Sequence, residues 1–293
     1  MQRRRVLTHL GLGAGLAAGL GVGGGVLAPA LAATSQEAVR IGLTPVFLDD
    51  QVSFLNEWRD YLQVRLERPV EFVQRGSYRE IVDLVRHDKI QFAWLCGYPL
   101  VRNKGRIQLL AVPVYDGQPL YQSFLIVPEK DTTTRTILDL HNRVFAYSDP
   151  DSNSGFLFPQ YQLIAARFNP ASFFRRSFFT FSHRNVVEAV AARVAHGGAV
   201  DGYVWDTLAK VRPELTNRTR IADRSPPFGF PPMVAAAGVP AADLKAMQAV
   251  LLTMHETPVG NTLLRRLNLD RFDAGSITLF DGIERMVRVV NGS

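Results

Sequence analysis

The segment Tyr147-Ser148-Asp149-Pro150-Asp151-Ser152-Asn153-Ser154-Gly155 gathers small polar side chains between an apolar strand pattern and a helical one. Ser152, Asn153 and Ser154 place two hydroxyls and an amide at the start of that helix. First-turn N–H groups have no partner within a helix and carry the positive end of its dipole. Such a start suits a small, phosphate-like oxyanion, with side-chain hydroxyls donating beside the backbone. Ordinary N-capping explains the same residues, because Ser and Asn are the usual caps. The segment alone leaves both readings open.

Cys96, in Ala93-Trp94-Leu95-Cys96-Gly97-Tyr98-Pro99, lies between a strand end and a helix start. Open α/β sheets bind ligands at this position. One reading is a small buried hydrophobe; the other is a thiol with a lowered pKa that takes a soft, thiophilic ligand. Tyr98 is the second position in this stretch expected to face a cleft. Paired with His183, Cys96 would make a nucleophile and base if closure brought the two into hydrogen-bond reach, but no third residue completes a triad. His183 alone reads equally as a buried, hydrogen-bonded histidine. His141, His196 and His255 show no metal-ligand spacing, and no HExxH or paired-cysteine pattern occurs, so neither a resident metal nor a cofactor is expected.

The elements that would hold these residues follow a βαβ rhythm. Val39–Leu43, Val70–Val73, Phe92–Leu95, Leu109–Val114 and Tyr121–Val127 read as strands. Between them, Phe54–Leu66 has helical spacing. Ser77 with Glu80 forms a capping-box pattern that opens Tyr78–His87, and Tyr98–Asn103 makes a short helix. After the polar linker Asp131–Thr134 the rhythm restarts: Val144–Tyr147, Ser177–Phe181, Val200–Val204 and Thr219–Ile221 as strands, Ser154–Phe168 and Asn185–Ala195 as helices. Ser225–Pro232 carries four prolines and reads as an irregular crossover. Met233–Ala237 would rejoin the first sheet, covered by helices Asp243–Glu256, Val259–Leu267 and Phe280–Val290. Mostly parallel sheets in an α/β chain are expected, with residues 39–125 and 233–293 forming one lobe, 126–232 the other, and a cleft between them.

The 293 residues carry 33 Lys and Arg against 27 Asp and Glu, with 10% aromatic and 20% charged residues. That composition describes a folded chain and excludes disorder. A single cysteine excludes a disulfide scaffold. The basic residues are scattered among acids, which argues against nucleic acid. Arg175-Arg176 and Arg265-Arg266 read as solvated faces. Phe173, Phe174, Phe178, Phe179 and Phe181 read as lobe core, since no basic stripe interleaves them.

Residues 1–32 stand apart. They hold Arg3, Arg4 and Arg5, no acid, an apolar run from Leu10 to Leu27 with eight of the 23 glycines, and an Ala30-Leu31-Ala32 end. Without them the net charge falls from +6 to +3. A membrane anchor is the alternative, since the apolar run approaches spanning length. The glycines and the Ala-x-Ala end favour a cleaved secretory leader of twin-arginine type and a periplasmic protein. No later run is long and apolar enough to span a bilayer.

Several of these stretches together resemble the PhnD-like family of periplasmic phosphate-, phosphite- and phosphonate-binding proteins. The anion loop resembles the family's Ser-x-Ser-Gly loop, with Asn153 where Thr is common. Tyr121-Gln122-Ser123 is similar to its first crossover strand, and Ser182–Val190 to the loop and helix facing the cleft. Gly198–Gly202, with Trp205 and Asp206 beyond it, and the Ser225–Pro232 crossover follow in the family's order. The resemblance implies a two-lobed, Venus-flytrap α/β fold of the type II periplasmic class that closes over a small oxyanion and delivers it to an ABC permease, without catalysis. It implies ligand contacts from Ser152, Asn153, Ser154 and Tyr121 with Ser123 beside it, from His183 across the cleft, and from Asp201 at its floor. The family's arsenite-sensing branch uses a cleft cysteine, so Cys96 stands as a candidate arsenite ligand. The alternative function is a ligand sensor that signals to the periplasmic domain of a sensor kinase. In either case the chain meets the membrane only through its partner.

Overall fold

The computed structural model describes residues 37–44 and 52–292; the expected leader lies outside these residues. The first lobe begins β1 (Val39–Leu43), α1 (Val52–Leu66), β2 (Val70–Gln74), α2 (Tyr78–Arg86), β3 (Phe92–Trp94), α3 (Gly97–Arg102) and β4 (Ile107–Val114). The chain crosses through β5 (Leu120–Tyr121) into β6 (Ser123–Pro128). Then come β7 (Val144–Tyr147), a π-helical turn at Asn153–Leu157, α4 (Phe158–Ala165), α5 (Pro170–Phe173), β8 (Arg176–Phe179), α6 (His183–Ala191), β9 (Gly197–Asp201), α7 (Gly202–Val211), α8 (Pro213–Thr216) and β10 (Thr219–Arg224). The return runs through β11 (Phe228–Gly229) to β12 (Met233–Ala236), followed by α9 (Ala241–Leu252), α10 (Pro258–Arg266), β13 (Arg271–Asp273) and α11 (Asp281–Asn291). Among the described residues no helix is long and apolar enough to cross a membrane.

Among the described residues the strands form two large sheets, ordered β13-β4-β12-β3-β1-β2 and β10-β6-β9-β7-β8, and a two-stranded ladder of β11 and β5. Both are mixed rather than mostly parallel. The β2-β1-β3 and β8-β7-β9 pairs run parallel, as βαβ units require. The strands next to the crossings run antiparallel: β12 inserts between β3 and β4 after the return, and β6 pairs with β9 and β10. A strand's direction there depends on where the chain re-enters, which is not a local property of its residues.

Three other expectations change. Tyr121–Val127 is not one strand, because it breaks at Gln122. Tyr121 pairs with Phe228 in a two-stranded crossing ladder, whereas Ser123 onward joins the second sheet. The Pro-rich return is therefore not wholly irregular: two residues between its proline pairs make that ladder. Val200–Val204 is half strand and half helix. Asp201 ends β9, and its Oδ1 accepts the Val204 N–H at 3.3 Å as the N-cap of α7.

Each lobe has an aromatic spine. Trp58 of α1 meets Trp94 of β3 edge-on at 5.9 Å, and Trp94 meets Phe272 of β13 at the same distance. The Trp94 indole donates to Pro231 O, pinning the return crossing to the first sheet. In the second lobe Phe145 stacks on Phe174 at 4.5 Å. Phe173 and Phe174 are core, as expected, but Phe181 is exposed at a left-handed backbone position that leads into α6. The C-terminal α11 packs Ile283 and Phe280 against Gly97. A Cβ there would lie 2.7 Å from each, so glycine is required for α11 to brace the start of α3.

Candidate functional site

The polar loop Ser148–Gly155 follows directly from β7. Asp149 Oδ1 accepts the Asp151 N–H at 2.8 Å, a local turn of the kind Asp-Pro favours. Ser152 then caps the helix, its Oγ accepting the Gly155 N–H at 3.0 Å. The N-capping reading is thus correct for Ser152. Asn153 and Ser154 do something else. The first turn is opened into a π-turn, a distortion common at functional sites, and it carries their side chains into the interior, 0% and 1% exposed. Among the described residues, Asn153 Oδ1, Ser154 Oγ and the buried Ser148 Oγ have no hydrogen-bond partner. Orphaned buried polar atoms are rare in a folded protein, and here three lie within seven residues.

The facing side comes from α3 and the crossing. The Asn153 N–H donates to Cys96 Sγ at 3.2 Å, and Asn153 Nδ2 donates to the Tyr121 hydroxyl at 2.9 Å. Tyr121 Oη lies 4.0 Å from Cys96 Sγ. Ser123 Oγ donates to Ser154 O at 2.7 Å, so its hydroxyl holds the loop in place. His183, at the start of α6, accepts the Asp201 N–H on Nδ1 at 3.0 Å. That fixes the imidazole proton on Nε2, making it a donor. Tyr98 is buried, but it joins a rim cluster: the Arg102 guanidinium lies 5.3 Å from its ring centroid, and Arg102 pairs with Asp151 at 3.1 Å. Of the nine expected residues, eight therefore form one connected cluster, and Tyr98 sits at its edge.

Burial dominates the electrostatics. It pushes Asp201 up to about 7, against N–H bonds from Val204 and Tyr203 that pull it down. Burial holds His183 down to about 3 and so neutral. It pushes the Cys96 thiol up to about 11, outweighing the hydrogen bonds from Tyr98 and Asn153. Tyr121 and Tyr78 are raised for the same first reason. Cys96 is thus moved away from the thiolate a nucleophile needs, His183 is neutral but weakly basic, and among the described residues no hydrogen bond joins them. The lowered thiol pKa that favoured a thiophilic ligand is replaced by its opposite, because α3 starts inside the closed core. No group of His, Cys, Asp or Glu that could hold a metal occurs among the described residues.

Two contributors were missed in the sequence. Ser148 sits against Gly155, where a Cβ would lie 1.8 Å from its Oγ and 3.1 Å from His183 Cε1. Asp149 crosses the cleft: its Oδ2 accepts the Tyr78 N–H at the N-terminus of α2, 3.0 Å away. The favourable dipole end of one lobe is thereby held by a carboxylate of the other. A usable signal existed for Asp149, because an Asp-Pro turn beside a polar loop marks a fixed backbone. None existed for Ser148, whose burial is a tertiary effect.

Comparison with known proteins gives consistent likenesses. The family model described as "ABC transporter, phosphonate, periplasmic substrate-binding protein" matches residues 41–279. The chain is 26% identical over 262 residues to the phosphonates-binding periplasmic protein of Escherichia coli K12, covering 86% of this chain and 76% of that one. Its fold is similar to the binding-protein component of a Pseudomonas aeruginosa ABC phosphonate transporter, with TM-score 0.79, 19% identity, and 87% and 86% of the two chains covered. It is also similar to PhnD1 of Prochlorococcus marinus solved with methylphosphonate, with TM-score 0.78, 20% identity, and 87% and 99% covered.

Proposed function

The chain belongs to the phosphonate substrate-binding protein family of ABC transporters, and from that premise we propose that it captures a phosphonate-class oxyanion by hinged closure and passes it to a membrane permease. The observation that carries the oxyanion reading is the buried trio of Ser148 Oγ, Asn153 Oδ1 and Ser154 Oγ, unbonded beside a π-turn. With the His183 Nε2–H they would offer a set of neutral polar groups, Ser148 and His183 both lying against Gly155. Arg79 and Arg102, the cations on the rim, both pair with Asp151, at 3.6 and 3.1 Å. Affinity would then come from convergent hydrogen bonds and water exclusion rather than from an ion pair.

Closure is supported by contacts that exist only when the lobes meet. These are Asp149 on α2, Asp151 with Arg102, Cys96 on Asn153, and the Tyr203 hydroxyl on Leu267 O at 2.5 Å. We take the lobes as 39–125 with 233–293, and 126–232, with Ser123–Leu125 already paired to the second sheet. Domain rotation about a few crossing residues is the usual route for such folds. The leader at residues 1–32 would deliver the chain to the periplasm, as expected of the family.

A thermal-shift panel of phosphite, methylphosphonate, phosphate and sulfate on residues 33–293 tests the reading. A ligand at a hundred times its Kd adds about 2.7 kcal/mol, a rise of roughly 5–10 °C in a chain of this size. No stabilisation by any phosphorus oxyanion would refute it.

A further inference from the structure

We propose that Asn153 selects oxyanions that still carry an acidic proton, taking a P–OH on its Oδ1 and rejecting sulfonates of the same size and charge. The inference deepens the oxyanion reading and rests on it. Asn153 is fully buried and its amide is split. Nδ2 donates to the Tyr121 hydroxyl at 2.9 Å, which leaves Oδ1 as an acceptor with no donor among the described residues. A hydroxyl such as Ser154 or Ser148 can turn to donate to a ligand oxygen, but an amide oxygen can only accept. A ligand without a proton would bury Oδ1 unsatisfied against its own oxygen.

Asp201 is the obvious rival for this role, being a carboxylate on the cleft floor. Its Oδ1 is instead engaged as the N-cap of α7, accepting from Val204 N. The remaining titratable groups facing Asn153 also leave the position to it. Cys96 Sγ receives the Asn153 N–H and its thiol is held protonated. Tyr121 and Tyr78 are raised, and His183 is neutral and donates from Nε2. Asp149 accepts from Tyr78 N and Asp151 N. Asp151 is paired with Arg79 and Arg102 at the rim. Both of those rim cations are already matched by Asp151 and leave no charge to offset a second negative one, so a singly charged, singly protonated oxyanion fits the donor and acceptor count.

Methylphosphonate monoanion and methanesulfonate make the probe pair, because both carry one charge and only the first carries a proton. Calorimetry on the mature chain, below the second ionisation of methylphosphonate, should show methanesulfonate binding weaker by roughly ten- to a hundredfold, the range for an unsatisfied buried acceptor. Asn153→Thr replaces an obligate acceptor with a hydroxyl that can donate. Its overall affinity falls with the lost Tyr121 contact, but its preference for methylphosphonate should shrink by about tenfold. A purely structural role would weaken both ligands equally and leave the ratio unchanged, which overturns the proposal. Methanesulfonate binding within about threefold of methylphosphonate in the wild type also overturns it. It would show the amide presenting its NH2 to the ligand. Binding of neither probe would refute the oxyanion reading itself, and the selection with it.

Discussion

Gly155→Ala measures how tightly the anion loop is built. A Cβ at this position would sit 1.8 Å from Ser148 Oγ and 2.7 Å from Ser148 Cβ, with His183 Cε1 at 3.1 Å. Ordinary contacts between such atoms need about 3.5 Å or more, so Ser148 or the loop backbone must move by well over 1 Å. Gly155 has no left-handed backbone angle to protect. Helix propensity alone would therefore make the alanine stabilising by about 0.5–1 kcal/mol. Overpacking a dense core costs about 1–3 kcal/mol, which reverses the sign. The net loss of roughly 0.5–2 kcal/mol corresponds to a fall in Tm of about 1–8 °C, read by differential scanning calorimetry, with oxyanion affinity reduced in parallel. Ser148→Gly removes both of the closest atoms, so the double variant should recover about 1 kcal/mol of coupling. A Gly155→Ala protein with wild-type or higher Tm and unchanged affinity would refute the packing and the placement of Ser148 in the site.

Asp201 and His183 make opposing contributions to acid stability. Between about 4 and 7 the folded Asp201 keeps a proton that the unfolded chain has released, so its contribution declines as pH rises through that window. Below 6.5 the unfolded chain protonates His183 while the folded one does not until about 3, so its contribution declines as pH falls. Asp201→Asn, which can still cap α7, should show Tm rising from pH 4 to 6.5. His183→Asn should show it falling, and identical slopes in the two variants would contradict both assignments. With its thiol near 11, Cys96 is thiolate in only about a thousandth of molecules at pH 8. Alkylation by iodoacetamide should be at least a hundredfold slower than in the unfolded chain and slower still with oxyanion bound. Rapid labelling of the liganded protein would place Cys96 outside the closed cleft. Cys96→Ala should retain oxyanion binding, and its loss would favour a cysteine-dependent sensor instead.

The alternating elements were legible because most have their own period and some a cap: Ser77 and Ser152 both stand at true helix starts. The Ser152–Gly155 loop was legible for the same reason, as a cluster of caps larger than one helix needs. Residues whose roles depend on the second crossing were not. Gln122 interrupts a strand without any turn residue, because the neighbours of Tyr121 and Ser123 lie in different sheets. The antiparallel strand β12 reads like any buried strand. Cys96 shows the sharpest difference: at a helix start in water its thiol would be acidic, but here burial outweighs the helix end. The proton on His183 and the capping role of Asp201 likewise follow from two backbone N–H groups that only the fold supplies, those of Asp201 and Val204.

The most direct test is isothermal calorimetry of residues 33–293 with methylphosphonate. Saturable binding of one ligand per chain, abolished or weakened by at least tenfold when Ser154 is replaced by Ala, is the expected result for a buried hydroxyl that bonds the ligand. Absence of binding heat, with no change in Tm across phosphonate, phosphite and phosphate, would contradict the assignment of this cleft to an oxyanion.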